Sequence, residues 1–207
     1  MRKLLLTPLL VISFGFGETI EPAGAPPADL NPAIAGVLQK NGIRVLNDSK
    51  KVVSELWFRS NLPSGPKSAE DAVTLPTVPH GALLGVIRLP ERGADRRGQT
   101  LKPGLYTLRF SFHPQNGDHQ GVEPQRDFLV LSPAADDKDP NANIGFDALM
   151  EQSRKASSTP HPAVLSFWKS EAGTKPGIGA GAEGEWVLQA KIGDQPVSVI
   201  VVGKNAH

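Results

Sequence analysis

Apolar and polar side chains change places with a period of two along most of the chain from Ile43 to Val202, and this alternation limits the folds open to it. The clearest instance is LKPGLYTLRFSF, Leu101 to Phe112. Pro103-Gly104 makes a turn, then Tyr106, Leu108 and Phe110 alternate with Thr107, Arg109 and Ser111. Successive side chains of a strand point to opposite faces, so such a run buries one face and leaves the other polar. Further strands are expected in GIRVLN, VVSELWFRS, ALLGVIRLP, RDFLVLSP, HPAVLSFW, EWVLQAKI and VSVIVVG, about eight in all. DSKK and GDQP are short polar turns, and each predicts a β-hairpin between its flanking runs.

Helical spacing is rarer. NIGFDALMEQSRKAS places Phe146, Leu149, Met150 and Ser153 on one helical face, with Asp147 early and Arg154 and Lys155 late, as the helix dipole favours. Asn143 is its expected cap. NPAIAGVLQKNG suits a short helix capped by Asn31, with Pro32 in its first turn and Gly42 at its end; a strand through AGVLQ is the alternative. The Pro-punctuated stretch from Asn61 to Gly81 is a long loop, ERGADRRGQT a charged loop, and KSEAGTKPGIGAGAEG a flexible connection. Alternating helices and strands of a parallel α/β sheet are missing. The expectation is therefore a mostly β protein: a single antiparallel β-sandwich over residues 31–207, or a barrel-like relative of it, with one short interposed helix and a short N-terminal helix.

LKPGLY resembles the Pro-Gly-x-Tyr turn that opens a strand in many immunoglobulin-like and transthyretin-like extracellular modules. The resemblance implies that Tyr106, the only tyrosine, bonds back to nearby backbone. The longer segment PGLYTLRFSFHPQNGDHQGVEPQRDFLVLSPA is similar to predicted exported bacterial proteins of unknown activity, and that similarity implies no reaction, substrate or site residue.

The first residues bear on compartment. Met1-Arg2-Lys3 is a positive start, Leu4 to Phe16 is a short apolar run, and Gly15 and Gly17 are small residues before a cut at Glu18. This is the pattern of a signal peptide over residues 1–17, with a retained anchor as the alternative. Export implies a periplasmic or secreted protein, with no membrane span after cleavage. EPAGAPPADL then reads as a disordered Pro/Ala linker over residues 18–30. Cysteine is absent, which excludes disulfides, thiolate chemistry and cysteine-held metals. The formal net charge is +1, and removal of residues 1–17 takes away Arg2 and Lys3 but no acid, leaving −1. A near-neutral chain without a basic run gives no support for nucleic-acid binding.

The chemistry-bearing residues gather in SFHPQNGDHQGVEPQRDF. His113, Asp118 and His119, with Glu123 and Asp127 nearby and His161 or His80 from other strand ends, suit zinc or copper if they converge. Their spacing matches no compact motif. The structural reading is a turn at Asn116-Gly117, with Arg126 and Asp127 at a strand start. Asp137, Asp139 and Asn141 alternate like the first half of a calcium loop, but Ala142 and Ala148 stand where that loop needs glycine and glutamate. An acidic surface loop is the other reading. G-x-S-x-G is absent, and the glycine run after Thr174 lacks the end of a phosphate loop. Arg96 and Arg97 suit either an anion or a solvated loop. Trp57, Trp168 and Trp186 are core residues if buried and sugar-stacking platforms if exposed. The sequence thus favours a non-catalytic binding or structural module with an extracytoplasmic protein or carbohydrate as partner; the alternative is a metal-binding protein or metal-dependent enzyme centred on the His113–His119 loop.

Overall fold

The alternating runs do pair, and all of their ladders are antiparallel. A computed structural model describes residues 17–113, 126–182 and 184–203. Ten strands form one sheet: β1 (Thr19–Gly24), β2 (Gly42–Leu46), β3 (Val52–Phe58), β4 (Leu83–Leu89), β7 (Gly104–Phe112), β8 (Asp127–Pro133), β9 (Ala163–Lys169), β12 (Gln195–Val202), β11 (Trp186–Ile192) and β10 (Gly177–Ala180), in that order. Two short strands, β5 (Gly93–Ala94) and β6 (Thr100–Leu101), pair separately. Among the described residues two helices, α1 (Pro32–Ala35) and α2 (Phe146–Ser157), accompany the strands. β1 lies against β10, so the sheet curls into a nearly closed barrel instead of splitting into two facing layers. No ladder joins these two edge strands among the described residues.

Inside the curl the residues of one parity meet. Val45, Leu56, Phe58, Leu108, Phe110, Leu129, Leu131, Leu165, Phe167, Leu188, Val197 and Val199 share one apolar core. A lumen filled by interdigitated aliphatic and aromatic side chains is a packed core, with hydrophobic burial as its main support. The opposite parity faces outward but is often covered. Trp57 lies outside the barrel beneath Leu30, Ile34 and Leu38, and its indole Nε1 donates to the Gly24 carbonyl at 2.9 Å. α2 lays Leu149 and Met150 on Phe128, Val130 and Val164.

Several expectations are corrected. Residues 18–30 are not a disordered linker: Thr19–Gly24 pairs with β2, and Leu30 is buried. An edge strand tolerates Pro22, whose missing N–H need not face a ladder. The N-terminal helix has only four residues. Asn31 caps it through Oδ1 as expected, but Gly36 ends it and Gly42 opens β2. Gly145, without a side-chain cap bond, precedes α2 instead of Asn143. The stretch after Lys169 holds a strand, β10. Both predicted hairpins form.

The loop between Asp137 and Gly145 is held down from below. Arg109, on the outward parity of β7, is fully buried and meets Asp137 through Nε–Oδ2 at 2.6 Å and Nη2–Oδ1 at 2.7 Å. The same guanidinium donates to the carbonyls of Gly81 at 2.6 Å and Asp139 at 2.7 Å. Thr107 Oγ1 donates to Asp137 Oδ2 at 2.7 Å. Gly81 has φ +77°, and a Cβ there would lie 2.6 Å from the Ile144 carbonyl oxygen, so the close approach needs glycine.

Two stability outcomes follow. Asp137→Ala leaves a guanidinium buried without its carboxylate and is expected to cost about 3–5 kcal/mol in urea denaturation. A loss under about 1 kcal/mol would show that the pair does not carry the loop. Tyr106 Oη donates to the Lys102 carbonyl at 2.8 Å, closing the corner at Pro103-Gly104. Tyr106→Phe is expected to cost about 1 kcal/mol, the net worth of one such bond; an unchanged midpoint would remove that role.

Candidate functional site

The metal and calcium expectations meet the structure first. Asp118 and His119 lie outside the described residues. His113 ends β7 and stacks on Phe128 with ring centroids 4.4 Å apart. Phe112 pairs with Asp127, whereas Ala163 pairs with Leu131 further along β8. That offset is four strand rises, about 13 Å, before the further step back to His161. His113 and His161 therefore sit toward opposite ends of β8 and cannot share an ion. Among the described residues no three His, Asp or Glu side chains gather as a metal site.

The calcium set is spent on cations. Asp137 holds Arg109; the Asp139 carbonyl accepts from Arg109 and its carboxylate from the Asn141 N–H at 2.9 Å; Asn141 Oδ1 accepts from Arg59 at 3.0 Å. Two guanidinium groups stand where an ion would have to go. Burial, with the Arg109 charge beside it, lowers the Arg59 pKa. The Arg96-Arg97 segment is neither a solvated loop nor an open anion site. Arg96 is buried and pairs with Glu185 at 2.6 Å, and Asp95 accepts from the N–H groups of Arg97, Gln99 and Val164.

Arg126 and Asp127 do stand at a strand start, and both fasten the long 61–82 loop. Arg126 donates to the Asp71 carbonyl at 2.7 Å and to Glu70 at 2.9 Å. Asp127 Oδ2 accepts from the backbone of Thr74 at 2.9 Å and Leu75 at 3.2 Å, and from the Thr74 hydroxyl. The loop then seats Leu75 and Val78 in the core. This closes the barrel end formed by the start of β8 and the end of β9.

The open chemistry lies on the outer wall of the closing strands. Trp168 pairs across with Ser198, Ser198 with Gln189, and Gln189 with Gly177. Their strand neighbours Phe167, Val197, Val199, Leu188 and Ala190 are in the core, so this row faces out. The 170–176 connection crosses at one end, where the Ser170 and Ser198 hydroxyls share a hydrogen bond at 2.6 Å. The result is a groove of about 570 Å³ with a half-buried Trp168 on one side and the side-chain-poor Gly179-Ala180 ledge on the other. Glu171, Lys169 and Gln189 also line it. Their side chains make no hydrogen bond or ion pair among the described residues. Trp57 is core, while Trp186 is half-buried against Gly17. The sequence marked Trp168 as an aromatic candidate, but not Gln189 or Ser198, whose strands reach it only by folding.

No protein family, curated protein or solved structure matches this chain.

Two buried carboxyls and one half-buried imidazole give stability a pH dependence. Burial raises the Asp95 and Asp127 pKa values, partly offset by their hydrogen bonds to Gln99 and Thr74. Burial lowers that of His80, between Phe112 and Phe146. A carboxyl raised on folding adds stability that is present below its unfolded pKa of about 3.9 and is lost as pH rises through the folded value. A lowered imidazole adds stability that is present above about 6.5 and is lost as pH falls toward the folded value. In melting curves from pH 4 to 8, Asp127→Asn is expected to flatten the decline that begins above about 3.9, and His80→Gln the decline below about 6.5. Unchanged slopes in both variants would contradict the burial of these groups.

Proposed function

We propose that the chain is an exported, non-catalytic binding module whose outer groove at Trp168 receives a carbohydrate. The observation that carries this reading is the half-buried indole facing a side-chain-poor ledge, with an amide, a carboxylate and an ammonium around it that have no partner among the described residues. A sugar ring offers an apolar face of C–H groups to an indole and hydroxyls to the polar rim. Interfacial amides and charged groups left open in the free protein are donors and acceptors for such hydroxyls. Support for export comes from the tripartite pattern of residues 1–17, and it places the module in the periplasm or outside the cell. The finer kinship to immunoglobulin-like or transthyretin-like modules rests on the Pro103-Gly104-Leu105-Tyr106 corner alone. The metal-dependent alternative draws no support from the described residues: Asp118 and His119 lie outside them, and His161 sits toward the opposite end of β8 from His113.

The test is a titration of the purified protein with soluble polysaccharides and their oligosaccharides, read by tryptophan fluorescence and calorimetry. Binding is expected to perturb indole emission, and Trp168→Ala to weaken it at least ten-fold, about 1.4 kcal/mol, with Trp186→Phe as the unaffected control. Binding that survives Trp168→Ala, or binding only to protein partners at this groove, would sink the carbohydrate reading.

A further inference from the structure

The two ends of the barrel differ. At one end the 61–82 loop drives Leu75 and Val78 into the core, and both are nearly inaccessible. At the other end, where β3 starts and β12 finishes, Leu101 from β6 is the buried plug, and it covers only part of the opening. Val53 and Val201, from strands that do not pair, belong to the core yet stay half-buried. With Leu89 they floor a depression of about 550 Å³. Volumes of this order hold small molecules, and barrel mouths are among their usual places.

The rim sets the charge of a fitting ligand. Lys51 and Glu91 pair across it at 2.6 Å and cancel one another. Arg92 stands next to them on the lining, exposed, with no ion pair or hydrogen bond from its side chain among the described residues. Among the described residues the mouth thus offers an apolar floor and the guanidinium of Arg92, which is planar and can donate two parallel hydrogen bonds to a carboxylate.

We propose that this mouth is a second binding site, for a free single-chain amphipathic anion such as a medium-chain carboxylate. The alkyl chain lies on Val53, Leu89 and Val201, and the head group meets Arg92. The site is independent of the Trp168 groove and does not rest on it.

The experiment uses the purified protein with 1-anilinonaphthalene-8-sulfonate, an anionic apolar dye, displaced by octanoate, nonanoate and decanoate below their micellar concentrations. Each added methylene is expected to tighten binding about three- to four-fold, as burial of one CH₂ predicts. Decanol is expected to displace the dye at least ten-fold less well than decanoate. Arg92→Glu is expected to weaken decanoate about ten-fold while leaving the melting temperature unchanged, and Trp168→Ala to leave decanoate binding intact. If Arg92→Glu lowers the melting temperature, Arg92→Gln supplies the same comparison. Displacement with no chain-length dependence, equal displacement by decanol, or equal decanoate affinity in the folded Arg92 variant would overturn the proposal. So would binding to phosphatidylglycerol vesicles in the absence of any binding to free decanoate, which would make the mouth a lipid-surface contact.

Discussion

One ion pair organises the outer wall of the barrel. Arg109 and Asp137 are both buried, and between them they engage β7, the Gly81 turn and the 137–142 segment that leads toward α2. A buried pair adds little net stability, because desolvation offsets most of the attraction. Its effect here is positional. The fixed fork of this guanidinium meets both Asp137 oxygens and the carbonyls of Gly81, Asp139 and Ala142, so each of these groups is tied to one position. The pair therefore fixes the path by which the chain leaves β8, crosses the outer face and enters α2. It also keeps the charge outside the lumen, which stays apolar from Val45 to Val199.

A filled lumen decides where binding can occur. Small β-barrels either pack their interior or hold a ligand there. This one packs it with Phe58, Phe110 and Phe167. The outer wall and the mouth remain as accessible surface, and both carry polar groups without partners among the described residues.

Much of this fold was legible from a period of two. Leu108 and Phe110 are inward as their alternation implies, and the turns at DSKK and GDQP close the hairpins they predict. What alternation cannot encode is the cover on the second face. Thr107, Arg109 and Ser111 look like a solvated face in the sequence, yet all three are buried. The same limit misplaced Asp137, whose oxygens suit calcium until a buried arginine 28 residues earlier arrives beneath it. Whether strands make a sandwich or a barrel depends on the meeting of β1 with β10, and β1 was hidden in a Pro-rich stretch. The candidate groove was half legible: Trp168 is conspicuous, but Ser198 and Gln189 join it only through cross-strand register.

The two outer walls differ in what a ligand would have to displace. On β1 to β4 a cross-strand row runs Glu21, Arg44, Glu55, Arg88. Arg44 bonds Glu21 at 2.9 Å and Glu55 at 2.7 Å, and Arg88 reaches Asp29 at 2.8 Å. Each charge has an opposite neighbour, so a ligand would have to break pairs already made. Exposed pairs are individually weak, but a linked row also blocks association with strands or aromatic faces. The wall of β9 to β12 is built the other way. Ser198 is satisfied by Ser170, while Gln189, Glu171 and Lys169 have no partner among the described residues and stand beside an indole. Binding there replaces water and not an internal partner. That difference in what must be given up, more than the presence of any one residue type, is what singles out the wall of β9 to β12 for the proposed groove.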